Sequence, residues 1–360
     1  MSVTSVAGGL TPTQWDDRFF VEYTRANRFK VYMGTGVNNI IQVRTDLTKS
    51  KGDAVVFGLV GRLSGGGVTG NATLEGQEEA LETRSHLVRV DALRHAVVVS
   101  DWEQQKSAID LREAAMDQLR LWAMDRLRRD IIAALHSVNG VGYTSASEAQ
   151  KDAWLTGNSD RVLFGAARSN TVAGDHSASL ANLDNSADKL SPSLVSLARR
   201  MAMGAQPALR PVTVGQDVET FVLFVPSRAF RDLSTHADMM QANRDAQLRG
   251  VDNPLFKGGD LLWDGVVIKE IPEIPTLAGA GAAGIDVSPC FLCGAQAVGV
   301  AWAQRTRSTV QKSDYEFQHG VGIQEIRGVE KLRFGTGATD TESPRDHGVL
   351  TLYVAAVADA

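Results

Sequence analysis

The stretch SDWEQQKSAIDLREAAMDQLRLWAMDRLRRDIIAALHSV, residues 100–138, decides how the rest of the chain is read. Met116, Leu119, Ala123, Leu127, Ile131 and Leu135 recur at steps of three and four, and Leu111, Ala115 and Trp122 widen the same stripe. That spacing marks one apolar face of an α-helix. Ser100 followed by Glu103 has the spacing of a capping box, whose hydroxyl and carboxylate satisfy backbone N–H groups of the first turn. Asn139 and Gly140 tolerate the left-handed conformation that closes a helix. The sequence therefore predicts a single helix over residues 101–138, about 57 Å long at ~1.5 Å per residue.

A helix of that length belongs to a coiled coil, a membrane span, a repeat or an extended structural spine. Arg112, Asp117, Arg120, Asp125, Arg128, Arg129 and Asp130 exclude a span. No strict heptad persists, and no stretch of comparable length offers itself as a partner. A spine remains.

At 360 residues the chain has room for two domains, or for one elongated domain with arms. Apolar residues make up 43% and charged residues 22%, which predicts a sizeable core. The net charge of −5 gives no general attraction to nucleic acid. Cys290 and Cys293 are the only cysteines, too few for a disulfide scaffold and compatible with a reducing compartment. The sequence MSVTSVAGGL does not read as a secretory signal, and residues 287–304 are too interrupted for a transmembrane helix.

Residues 1–52 read as an arm. Trp15, Phe19, Phe20 and Tyr23 form a short helical stripe that GTGVNN (34–39) then breaks, and one short amphipathic helix cannot bury its face alone. It packs either on its own domain or on a neighbouring subunit. Residues 54–60, 85–91 and 95–100 read as strands, and the acidic NATLEGQEEALETR (71–84) between them lacks apolar residues for a core of its own. Residues 53–99 are therefore expected to project and to pair outside their own subunit.

Beyond the spine, residues 140–192 read as loops with short strands, and 191–205 as a helix with Ser191 as N-cap and Pro192 at its first position. TFVLFVP (220–226) is a buried strand leading into a helix over 227–249, an α/β layer. Residues 254–275 read as a pair of strands turning near Gly258 and Gly259, 290–304 as a strand followed by a small-residue helix, and 314–334 and 348–357 as returning strands.

Chemical motifs are sparse. Gly65, Gly67 and Gly70 spell G-x-G-x-x-G, with Asp91 beyond them, the pattern of an NAD-dependent oxidoreductase. That chemistry needs the glycines to open a helix facing a pyrophosphate, yet Arg62, Leu63 and Ser64 intervene, and the stretch after Gly70 carries Gly76 with only Leu74, Ala80 and Leu81 as apolar packing. Cys290 and Cys293 have redox spacing without further ligands, so core packing is expected. The seven histidines never fall at the spacing of a zincin, and no nucleophile elbow or phosphate loop occurs. The residues thus predict no catalytic, cofactor-binding or metal site.

Taken in order, a strand-rich projecting loop, a spine helix, an α/β layer and late return strands resemble the tailed-phage major capsid protein architecture, the Hong Kong 97-like fold. Within it they resemble the phage capsid family first grouped as a domain of unknown function. The matching residues are GDAVVFGLVGRLSGGGVTGNATLEGQEEAL (52–81), VRVDALRHAVVVS (88–100), FVLFVPSRAFRDL (221–233), NPLFKGGDLLWDGVVIKEIPEIP (253–275) and CGAQAVGVAWA (293–303).

The resemblance implies an α+β fold in four parts: an N-terminal arm (1–52), an extended β-hairpin loop (53–99), a peripheral domain on the spine helix (100–205 with 310–360), and an axial domain (206–309). It implies a subunit of the icosahedral shell around a tailed phage's double-stranded DNA, assembled in the host cytoplasm and resident in the virion. The implied partners are its own copies in pentamers and hexamers, a scaffolding protein, a portal, a decoration protein and DNA bound without sequence preference. Some members cross-link the extended loop through a lysine, but no lysine lies between Lys51 and Lys106 here. Contacts between subunits would instead use the Trp15, Phe19, Phe20 and Tyr23 stripe, with Arg62, Arg84, Arg89 and Arg94 set against Glu75, Glu78, Glu79 and Glu82. A cellular nanocompartment shell of the same fold is a further alternative beside the oxidoreductase.

Overall fold

The computed structural model describes residues 27–48, 52–63, 65–71, 73–214, 218–247, 261–337, 339–340 and 342–358. Their parts fall into two compact units, one holding Ala92–Leu127 and Gln304–Ile326, the other Arg28–Asp91, Arg128–Ala303 and Arg327–Ala360. Trp15, Phe19, Phe20 and Tyr23 lie outside the described residues.

In the smaller unit the strand Asp91–Ser100 lies beside Gln318–Lys331, which in turn lies beside Val298–Ser313. Leu119 buries itself against Val321 and Ile323, with Met116, Trp122 and Ala123 at the margin. The predicted single helix is two. Asp101–Lys106 is capped by the Ser100 hydroxyl, which accepts from Glu103 N–H, and a second helix runs over Leu111–Leu135. The break at 107–110 has a local cause. Asp110 Oδ1 accepts from Arg112 and Glu113 N–H at 2.9 and 3.2 Å, and the Gln104 side chain accepts from Leu111 N–H at 3.1 Å. Side chains that cap a new helix compete with the ladder of the old one. At the far end the helix stops at Leu135 rather than at Val138, and Asn139 and Gly140, at φ of 47° and 84°, close not the helix but a tight turn in which Val138 pairs with Val141.

The larger unit is built on a mixed sheet in the order Val162–Phe164, Val349–Ala355, Val287–Cys293, Val218–Val225, Val266–Glu270, Leu261–Trp263. Val287–Cys293 and Val349–Ala355 are buried along their whole length, as near-continuous apolar runs require when both faces are covered. On one face the helix Pro192–Gly204 contributes Leu194, Val195, Ala198 and Met201 against Leu223, Cys290, Leu292, Leu350 and Leu352. On the other lies an aromatic group. His136 stacks on Tyr143 at 4.0 Å between centroids, and His176 meets Tyr143, Trp154, Phe164 and Tyr353 at 5.3–6.2 Å. Cys290 and Cys293 are buried free thiols, as expected.

Several expectations are corrected in this unit. Residues 140–192 carry the helices Glu148–Gly157, with a full capping box at Ser147 and Gln150, and His176–Ala181. Their polar composition belongs to caps and exposed faces rather than to loops. The helix expected over 227–249 divides into Ser227–Thr235 and Ala237–Gln247 at His236, whose backbone is extended. The pair over Leu261–Trp263 and Val266–Glu270 turns at Asp264 and Gly265, both at positive φ, the combination a two-residue hairpin favours; Gly258 and Gly259 lie outside the described residues.

The small residues after Cys293 form the strand Val298–Ser313 and not a helix. They are small because the chain is crowded: a Cβ on Gly294 would collide with the Arg210 carbonyl, and one on Gly299 would press on Leu332 and Phe57. The stretch expected as an arm is, from Arg28 onward, part of this unit. Phe29 is fully buried with its ring 4.9 Å from Phe224, and Ile41–Arg44 pairs parallel with residues 298–301.

Candidate assembly interface

Within the larger unit, Ala54–Val60 pairs antiparallel with Thr83–Arg89, Val56 opposite Leu87 and Gly58 opposite Ser85. Strand alternation sends Val55, Phe57 and Val88 inward, where they pack on Ala301, Leu332 and Phe334. Burying each of these side chains is worth ~1.5–3 kcal/mol, so the hairpin's root is firmly held. The opposite face has no cover among the described residues: Val56 is 59% exposed, Val60 62% and Leu87 46%. A contiguous exposed apolar face, unlike a lone exposed leucine, marks a contact surface.

The root is also tied by polar groups. Ser85 Oγ donates to Asp340 Oδ2 at 2.6 Å, which holds the Asp340 carboxyl below the usual carboxylate range. Arg84 donates to the Gly337 carbonyl at 2.7 Å and pairs with Glu82. His86 Nε2 lies 3.3 Å from Glu330. Beyond Gly61 the chain up to Glu82 carries neither helix nor strand among its described residues, and Leu63, Leu74 and Leu81 are exposed. It closes at residues 74–77, where Gln77 N–H donates to the Leu74 carbonyl with Gly76 at φ 85°. Positive φ at that third position is a glycine's part in such a turn.

The expected contact residues separate into two groups. Arg62, Glu75, Glu78, Glu79, Glu82, Arg89 and Arg94 are all exposed. Arg84 alone is half-buried and bonded within its own chain, and the exposed Glu78 and Glu79 accept from Gly76 and Gly65 N–H, each at 2.7 Å. Arg94 belongs to the smaller unit and the hairpin to the larger.

Sequence reading missed one feature. A cavity of about 850 Å³ opens at the hairpin's root, and its walls bring together Arg62, Arg84, Arg161, Arg345 and His347. Arg161 is buried, bonded to the Asp346 and Pro207 carbonyls and to Asp160. Burial pushes the Asp160 carboxyl up, but hydrogen bonds from Arg161 and Gln206 and the charges of Arg161 and Arg345 prevail and hold it below its ordinary value. His347 is driven down to about 4 by burial and by the charges of Arg161 and Arg210. These residues come from three distant stretches, so no local motif announces them.

The glycines at 65, 67 and 70 do not open a helix, and Asp91 begins a strand rather than ending one. Among the described residues no group of His, Cys, Asp and Glu is arranged to hold a metal ion, and no helix is long and apolar enough to cross a membrane.

Comparison with known proteins gives the chain its class. The family model described as phage capsid protein matches residues 3–358, and the chain belongs to that family. It is 29% identical over 376 residues to the major capsid protein of Pseudomonas phage KPP25, covering 96% of this chain and 95% of that one. Among solved structures, the cyanophage Pam1 capsid asymmetric unit matches with a TM-score of 0.88 and 34% identity over 100% of both chains. The capsid of Ralstonia phage GP4 shares the fold, at 0.78 and 24% over 100% of both. The expected mixed helix-and-sheet capsid architecture is thereby met, and the oxidoreductase alternative is set aside: the family match spans the glycines and Asp91.

Proposed function

We propose that this chain is the repeating structural subunit of an icosahedral phage head. The full-length likeness to the Pam1 capsid subunit, at 34% identity, carries that reading. The geometry supports it from below: the hairpin's outer face is a strip of valine and leucine that a neighbouring copy would cover. A structural role without catalysis fits the same picture.

The finer parts of the proposal follow the family's architecture. Residues 1–52 would act as an arm rooted, from Arg28 onward, in the larger unit, 53–99 as an extended loop laid on a neighbour, 100–205 with 310–360 as a peripheral domain, and 206–309 as an axial domain meeting its copies at five- and six-fold vertices. That is the Hong Kong 97-like arrangement, assembled in the host cytoplasm with a scaffolding protein and portal, and filled with DNA. The net charge of −5 suits a container that holds DNA without gripping it.

The test is expression of the full chain, alone and with a phage scaffolding protein, followed by sedimentation and electron microscopy. Closed shells of uniform diameter are expected. A chain that stays a monomer under both conditions would overturn the reading.

A further inference from the structure

The acidic loop and the arginine-lined cavity carry opposite charge. Residues 63–83, LSGGGVTGNATLEGQEEALET, contain four glutamates and no lysine or arginine. The cavity at the hairpin's root presents four guanidinium groups, and Glu82 is the only carboxylate in its described walls. The Nε atoms of Arg84 and Arg345 are buried with no hydrogen-bond partner among the described residues. Those atoms face inward; toward the cavity Arg84 is paired with Glu82, and Arg161 and Arg345 with Asp160, so four guanidinium groups meet two carboxylates and keep an excess of positive charge for an incoming carboxylate. Glu75, Glu78 and Glu79 of the same chain do not line the cavity.

We infer that the cavity lined by Arg62, Arg84 and Arg345 is a carboxylate receptor that seats the turn bearing Glu75 and Glu78 from a second copy of this chain. The contact is heterologous, loop into cavity, so each copy offers one loop and one cavity, and repetition about a rotation axis closes a ring. Guanidinium forks are suited to such seats because they grip carboxylates in two-point geometry. This inference rests on the shell-forming reading and assigns its loop a specific seat.

Two chains are prepared, one carrying Glu75→Cys and the other Thr336→Cys, a residue of the cavity wall. They are co-assembled into shells and oxidised gently. A disulfide-linked pair of the two variants is expected from assembled shells and not from unassembled subunits. Shells that form normally yet give no linked pair overturn the inference while leaving the shell reading intact; absence of shells from the unaltered chain overturns the reading itself.

A charge exchange guards against variants that misfold. Reversing the loop alone, Glu75→Arg with Glu78→Arg, changes two exposed side chains, of which Glu78 also accepts from Gly76 N–H, and should raise the concentration needed for assembly about tenfold, the equivalent of ~1.4 kcal/mol. Adding Arg62→Glu and Arg345→Glu to the same chain should restore assembly. An unaffected loop variant, or failure of the fourfold variant to recover while its subunit melts normally, overturns the proposal.

Discussion

His136 and His176 sit where imidazolium cannot. Burial holds His136 down to about 3 and His176 to about 4, against ~6.5 for a solvated histidine. Lys331 lowers His136 further and Lys151 lowers both, while Glu148, Asp152 and Asp175 near His176 act in the opposite sense. Both folded-state values lie below the unfolded one, so the unfolded chain takes up protons that the folded chain refuses. Nothing is lost above pH ~6.5; below it, stability falls toward the folded values at up to ~1.4 kcal/mol per pH unit for each histidine. Thermal melting of the unassembled chain between pH 7 and 4.5 should show a progressive fall in Tm. His176→Phe, which keeps an aromatic ring among Tyr143, Trp154, Phe164 and Tyr353, should flatten the slope. A Tm independent of pH over that interval would contradict the account. The sequence placed these histidines outside any metal motif, but their enclosure depends on Phe164, Phe291 and Tyr353, far along the chain, and no periodicity reports that.

Among elements, the broken helix is the instructive case. Its apolar stripe was legible, since Leu119, Ile131 and Leu135 are buried as the spacing requires. The interruption was legible too in principle, because Asp110 and Glu113 repeat the spacing seen at Ser100 and Glu103. A stripe that continues on both sides of a cap hides it. Asp110→Ala should cost ~0.5–2 kcal/mol, the usual loss of an N-cap, read as a lower midpoint in urea. An unchanged midpoint would mean that the helix Leu111–Leu135 is held by packing alone. The strand over 54–60 was legible from its apolar run, and that expected over 85–91 lies two residues earlier, at Thr83–Arg89. The strand Val298–Ser313 was not legible, since glycine and alanine chosen for close approach to Arg210 and Phe57 mimic the composition of a small-residue helix.

For the whole molecule, what distinguishes this chain is where apolar surface is left over. The order of elements could be read from sequence, and it pointed to the capsid family that the match over residues 3–358 shows. The basic cavity could not, because Arg62, Arg161 and Arg345 converge only after three stretches have folded together. Val56→Glu on the outer hairpin face should leave the melting temperature of the unassembled chain within about a degree or two, as surface changes typically do, yet raise the concentration at which shells appear. A variant that assembles like the parent would show that this face stays bare in the shell.

The two thiols bear on how such particles can be used. Cys290 and Cys293 are enclosed by the sheet, and burial pushes both well above the ordinary thiol range. Reagents that require thiolate find none within the described core. One cysteine introduced on an exposed position would thus be the sole nucleophile of its kind in each subunit, and a maleimide dye or peptide would attach at a single defined address, repeated with the symmetry of the particle.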